Sequence, residues 1–153
     1  MLILQAENNT LIEIEAFLKK CWEEDVFDAF RSKNEPFFSR FISGDAIKKR
    51  MYTGSIFYYF LLENDLKGVA EVQDGKHIAL FFIASDLRGK GVGKRFIEKL
   101  EHVLIKNKHQ LILTVHAYLP HAGFYRSCGY AESGAKVLGM ETFILPMYKR
   151  IVD

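Results

Sequence analysis

"HIALFFIASDLRGKGVGKRF", His77 to Phe96, decides the fold. Its first eight residues are apolar on both alternating faces, the pattern of a central strand covered from both sides. Its last ten, "LRGKGVGKRF", set three glycines and four basic side chains ahead of a helical pattern carried by Phe96, Ile97, Leu100, Val103 and Leu104. Glycines at a strand-to-helix junction let the chain turn sharply and bring backbone N–H groups close to a ligand. The first helical turn adds unpaired donors and the positive end of a dipole. Such a junction suits phosphate, and Arg88, Lys90, Lys94 and Arg95 favour a diphosphate over a carboxylate. A glycine-rich turn with merely solvated basic side chains is the plainer alternative.

Upstream, "SIFYYFLL" (55–62) and "LKGVAEVQ" (66–73) are β-branched and aromatic runs bounded by "ENDLK" and "DGK", turn signals of hairpin type. With His77–Ala84 they predict three successive antiparallel strands. Downstream, "QLILTVHA" (110–117) reads as a buried strand and "HAGFYRSC" (121–128) as a short helix closed by Gly129. "VLGMETFILPM" (137–147) reads as a last strand. Near the start, Thr10 and Glu13 have capping-box spacing. Leu11, Ile14, Leu18 and Cys21 then recur at helical spacing to about Asp25, after a possible short strand in residues 1–6. "VFDAFRSKNEPFFSRF" (26–41) reads as irregular helix and loop, and Ser43 caps a short helix carrying Ile47 and Met51. The order is helix, helix, three strands, helix, strand, helix, strand: a mixed α/β sandwich with hairpins and one strand–helix–strand crossover.

Composition narrows the function classes. The 153 residues lack repeats and low-complexity tracts and predict one domain over 1–153. Twenty-one basic against 19 acidic side chains give a net charge of +2, so no global field favours nucleic acid and any positive feature is local. No stretch approaches a membrane span, the start lacks a secretory signal, and Cys21 and Cys128 have no metal-like spacing. A cytoplasmic protein with buried thiols, no metal and no membrane partner is expected.

Two phosphate loops can be tested against 87–96. A P-loop counted back from Gly93-Lys94 needs glycine at Arg88 and a hydroxyl at Arg95; a dinucleotide fingerprint needs glycine at Lys94 and a preceding parallel unit. Both fail. What remains is Arg88-x-x-Gly91-x-Gly93, followed by "HAYLPHAGFYRSCGY" (116–130) with Phe124-Tyr125 and a Gly129-Tyr130 close. Together these resemble the two motifs of the GNAT superfamily of N-acetyltransferases, and the resemblance covers roughly Gly54 to Met147.

The resemblance implies a central, mostly antiparallel sheet with a splayed parallel pair and helices on both faces. It also implies acetyl-CoA as acyl donor, a small-molecule or protein amine as acceptor, and a possible homodimer. Arg88, Gly89, Lys90, Gly91, Val92, Gly93 and Lys94 would cradle the pyrophosphate. A bulge would free a backbone N–H near Phe82 or Ile83 for the thioester carbonyl. Tyr125 would serve the departing thiolate as acid, against the plainer reading of a core aromatic. His116 stands where the family often has asparagine, within reach of pantetheine amides, and His121 where it usually has alanine.

The base is open. An alkyl ammonium with a pKa near 10.4 costs roughly 4 to 5 kcal/mol to deprotonate at pH 7, so a base or a water chain is useful. Strand 77–84 carries no carboxylate, which leaves Glu71, His77 or water. Phe27, Phe30, Phe37, Phe38, Phe41, Tyr52, Phe57, Tyr58 and Tyr59 read chiefly as core, with a wall for an apolar amine as the alternative. Cys128, at a helix C-terminus, reads as a poor nucleophile. Direct attack in a ternary complex is expected, and a non-catalytic acyl-CoA sensor is the competing class.

Overall fold

The computed structural model of the chain describes residues 1–25, 36–134 and 144–153. The first hairpin joins β2 (Ile56–Leu62) to β3 (Asp65–Gln73) through Glu63 and Asn64, at φ 52° and 68°. The second joins β3 to β4 (His77–Ile83) through Asp74, Gly75 and Lys76, with Asp74 and Gly75 at φ 52° and 65°. Consecutive left-handed residues carry the twist that lets flanking strands pair, which is why acidic, amide and glycine residues stand there.

β4 is the middle of a seven-stranded sheet ordered β1-β2-β3-β4-β5-β7-β6, with β1 at Leu4–Gln5, β5 at Gln110–Tyr118, β6 at Ala131–Glu132 and β7 at Ile144–Val152. All neighbours are antiparallel except β4 and β5, which register only at His77↔Thr114 and Ile78↔Val115. Beyond Ile78 the two strands part, whereas β5 and β7 stay registered from Gln110↔Val152 to Tyr118↔Ile144. The expected splayed pair is therefore present, in a mixed α/β sheet.

Helices α3 (Val92–Ile105) and α4 (Ala122–Ser127) cover one face. There Phe96, Leu100 and Leu104 pack against Tyr58, Val72, Ile78, Leu113 and Val115. Helices α1 (Leu11–Asp25) and α2 (Gly44–Tyr52) cover the other, where Ile14, Leu18, Trp22 and Ile47 meet Phe57, Val69 and Leu80. A bulge explains how Ile78 and Leu80 reach opposite cores. Glu71 pairs with Leu80 but Val72 with Ile78, so Ala79 is the extra residue and side-chain parity inverts across it.

The ends of elements differ in detail from the sequence reading. Thr10 is not a cap paired with Glu13. The Glu7 N–H donates to Thr10 Oγ1 at 3.1 Å, one turn earlier, and α1 still buries Ile14, Leu18 and Cys21. Ser43 caps α2 as expected, accepting from the Ala46 N–H at 3.3 Å. β7 runs to Val152 rather than Met147, and β6, too short to carry a period, was not anticipated. Residues 137–143 of the expected last strand lie outside the described residues, as do Phe27 and Phe30 of the aromatic cluster.

Candidate active site

The loop after β4 is shaped by two left-handed glycines, Gly89 at φ 71° and Gly91 at φ 75°, the latter standing as N-cap of α3. Neither is crowded, since a Cβ on either would meet nothing within 4 Å. Backbone conformation, not space, calls for glycine here. Gly93 has the opposite reason: a Cβ there would come within 3.1 Å of Phe124 Cε2, whose ring rests on the first turn of α3. The first turn of α3, whose leading N–H groups have no intrahelical partner, borders a cavity of about 450 Å³. Arg88, Gly89, Gly91, Gly93 and Lys94 line it, together with Phe82, Ile83 and Tyr125. The side chains of two residues expected in this cradle point elsewhere, while the Val92 N–H remains one of the leading donors of α3. The Lys90 ammonium donates to the Asp86 carbonyl at 2.9 Å, and Val92 packs into the core.

The gap between β4 and β5 exposes particular donors. The Ala84 N–H donates to the Lys67 carbonyl at 2.9 Å, which fixes the phase of the β3–β4 ladder. By alternation Phe82 and Val69 exchange hydrogen bonds, and the N–H groups of Phe81 and Ile83 point away from β3 toward the gap. Of the two donors expected from sequence, Ile83 faces the gap and Phe82 does not. The bulge lies upstream of both, at Ala79.

A second cavity of about 470 Å³ opens beside the first. Its walls are largely aromatic, with Trp22, Phe38, Phe41 and Tyr118, and its polar lining is Gln73, His77, His116 and His121. The two cavities meet at Phe81, Phe82, His121 and Tyr125, which line both. Tyr125 is buried among the rings of Phe81, Phe124 and Tyr130, and among the described residues its hydroxyl has no hydrogen-bond partner. Burial, with Cys128 beside it, pushes its pKa far above that of a free phenol, so it holds its proton throughout the neutral range.

The histidines are poised differently. His77 Nδ1 lies 2.8 Å from Thr114 Oγ1, and its ring meets that of His116 edge-on at 4.7 Å. Burial and the neighbouring His116 lower the His77 pKa, against the opposing pull of Glu71 and Asp74. His121, set edge-on to Tyr118 at 5.1 Å, is also lowered, by burial and then by Arg88. His116, expected along the pantetheine, lines the second cavity and not the first.

Glu71 departs most from expectation. It is fully buried, and Arg50 grips both carboxylate oxygens, Nε to Oε1 at 2.8 Å and Nη2 to Oε2 at 3.1 Å. It lines neither cavity. Arg50 itself stacks on Phe41 at 3.8 Å and donates to the Phe41 carbonyl at 2.7 Å, so Glu71 braces the wall of the second cavity from behind. Cys128 is buried with its pKa raised by that burial, which agrees with a poor nucleophile. Arg50, Phe81 and Trp22 were missed from sequence. Only Trp22, one residue after Cys21 on the apolar stripe of α1, carried a local signal.

An acetyltransferase (GNAT) domain profile matches residues 17–151. Among solved structures, the chain is similar to a GCN5-related N-acetyltransferase from Rhodopseudomonas palustris, with TM-score 0.75 and 18% identity over 99% of this chain and 95% of that one. It is similar to the PaiA N-acetyltransferase from Thermoplasma acidophilum, solved in complex with coenzyme A, with TM-score 0.74 and 13% identity over 99% and 100%. It is also similar to the aminoglycoside 6'-N-acetyltransferase from Enterococcus faecium, with TM-score 0.65 and 13% identity over 99% and 97%. Among curated proteins, none matches the sequence. No helix among the described residues is long and apolar enough to cross a membrane.

Proposed function

The chain belongs to the acetyltransferase (GNAT) family, and on that premise we propose that it transfers the acetyl group of acetyl-CoA to a primary amine by direct attack in a ternary complex. The observation that carries this reading is the junction of the two cavities. A phosphate-suited cradle opens on one side, an aromatic chamber on the other, and the protonated Tyr125 stands where they meet.

The residues present fit coenzyme A. Gly89 and Gly91 turn the backbone so that α3 offers its free N–H groups to a pyrophosphate, with Arg88 and Lys94 as counter-charges. The Ile83 N–H is available to pair with the pantetheine arm. Bound there, acetyl-CoA supplies an activated acyl carbon and a thiolate leaving group. The Phe81 N–H is the other gap-facing donor, on a residue whose ring meets that of Tyr125 at 6.3 Å, and we assign it to the thioester oxygen as negative charge develops.

The proton inventory then closes on this chain's own groups. The His77–His116 pair lines the second cavity and takes the proton from the acceptor ammonium. In the tautomer that donates Nδ1–H to Thr114 Oγ1, His77 keeps Nε2 as the basic atom. The amine nitrogen forms the C–N bond, the C–S bond breaks, and Tyr125 gives its proton to the sulfur. The second amine proton leaves by the histidine path, and Tyr125 is reprotonated from water. Thermal unfolding tests the donor side: acetyl-CoA raises Tm while ATP and NAD do not, and equal stabilisation by ATP overturns the reading.

A further inference from the structure

The second cavity is chemically unlike a site for polycations. Among the described residues its lining holds no aspartate or glutamate, and its walls are Trp22, Phe38, Phe41, Phe82 and Tyr118. Trp22 and Phe38 stack on each other at 3.8 Å with planes 13° apart, and Phe82 meets Phe38 edge-on at 6.3 Å, so this slot has one continuous aromatic wall. Behind this wall the Arg50 guanidinium lies over Phe41 at 3.8 Å, its charge balanced by a carboxylate. Its counter-ion Glu71 is already engaged through both oxygens.

From this slot we infer that the acceptor is a monoamine with an aromatic or similarly flat apolar body, not a polyamine or aminoglycoside. The inference rests on the acetyl-transfer reading above and names its substrate class. A flat apolar body leaves water for ring faces, where stacked and edge-on contacts add to burial. Its single ammonium is neutralised at the histidine end before attack. A second or third ammonium meets no carboxylate among the described lining residues, and only aromatic faces offset its lost hydration. The resemblance in fold to an aminoglycoside 6'-N-acetyltransferase does not extend to this requirement.

Two measurements on the full chain test it. Trp22 is the sole tryptophan and lines the slot, so its fluorescence reports occupancy without turnover. Titration with 2-phenylethylamine saturably perturbs it, and spermidine at the same concentrations does not. In a thiol-release assay with acetyl-CoA, 2-phenylethylamine has a kcat/KM at least tenfold above those of spermidine and kanamycin. Phe38→Ser raises KM for 2-phenylethylamine about tenfold while the KM for acetyl-CoA is unchanged. Faster turnover of spermidine or kanamycin overturns the inference alone. Release with none of the three amines, although acetyl-CoA stabilises the protein, overturns the acetyl-transfer reading and the inference with it.

Discussion

Arg50 and Glu71 meet edge to edge, Nε and Nη2 lying 2.8 and 3.1 Å from the two carboxylate oxygens, with Glu71 wholly removed from solvent. A buried pair held this way is costly to break from one side, because the orphaned charge stays in a low-dielectric setting. Arg50→Ala accordingly destabilises the protein by about 3 kcal/mol, read as a lowered midpoint in urea unfolding. Glu71→Gln retains part of the hydrogen bonding to Arg50 and keeps most of kcat. A loss of a thousandfold or more in kcat with unchanged stability would instead make Glu71 the base.

Tyr125→Phe removes the proposed proton donor and leaves the ring packing intact. We expect kcat to fall about a hundredfold, within the usual span for a positioned acid, with little change in the acetyl-CoA affinity. Burial holds this phenol protonated well above pH 10, so the wild-type rate shows no alkaline decline from Tyr125 between pH 7 and 9. Turnover unchanged by the substitution removes Tyr125 from the chemistry.

The histidines set the acid limb. The pKa values of His77 and His121 lie below 6.5 in the folded protein, so between those values and 6.5 the unfolded chain binds more protons. Their contribution to stability is thus complete above about pH 6.5 and is lost as pH falls through the lowered folded values. The proposed base follows the same direction: kcat/KM drops on acidification with a midpoint below 6.5. His77→Gln lowers kcat/KM at pH 7.5 and flattens that limb. An acid limb identical to that of the wild type assigns the titration to another group.

Gly91→Ala places a Cβ on a residue at φ 75°, a left-handed conformation costing roughly 1–2 kcal/mol for a residue with a side chain. Relief of that strain reorients the N-terminus of α3. The expected result is at least a tenfold rise in the acetyl-CoA Kd by calorimetry, with the aromatic slot, measured through Trp22, undisturbed. Equal acetyl-CoA affinity in wild type and variant separates the glycine from diphosphate binding.

What the sequence revealed of these features follows the range of the forces involved. The hairpins are written locally, in Glu63-Asn64 and Asp74-Gly75, and so are the glycine turn before α3 and the Ser43 cap. The bulge at Ala79 is not. Nothing in "HIALFFIA" marks where an extra residue falls, because all its side chains suit a buried strand. One shift in parity turns the Phe82 donor toward β3 and the Phe81 donor toward the gap. Glu71 looked available as a base because its partner lies 21 residues earlier, on α2, and is brought to it by packing across the sheet. The family position of His116 implies the pantetheine, whereas in the structure, where β4 and β5 part after Ile78, it lines the second cavity.

The most direct test of the account is release of free coenzyme A thiol from acetyl-CoA as a function of added 2-phenylethylamine, followed in parallel with the amide formed. The account predicts saturable release that depends on the amine, one amide per thiol, and no acetylated enzyme trapped when the amine is omitted. Acetyl-CoA binding with no amine-dependent thiol release from any monoamine would contradict it and leave an acyl-CoA sensor in its place.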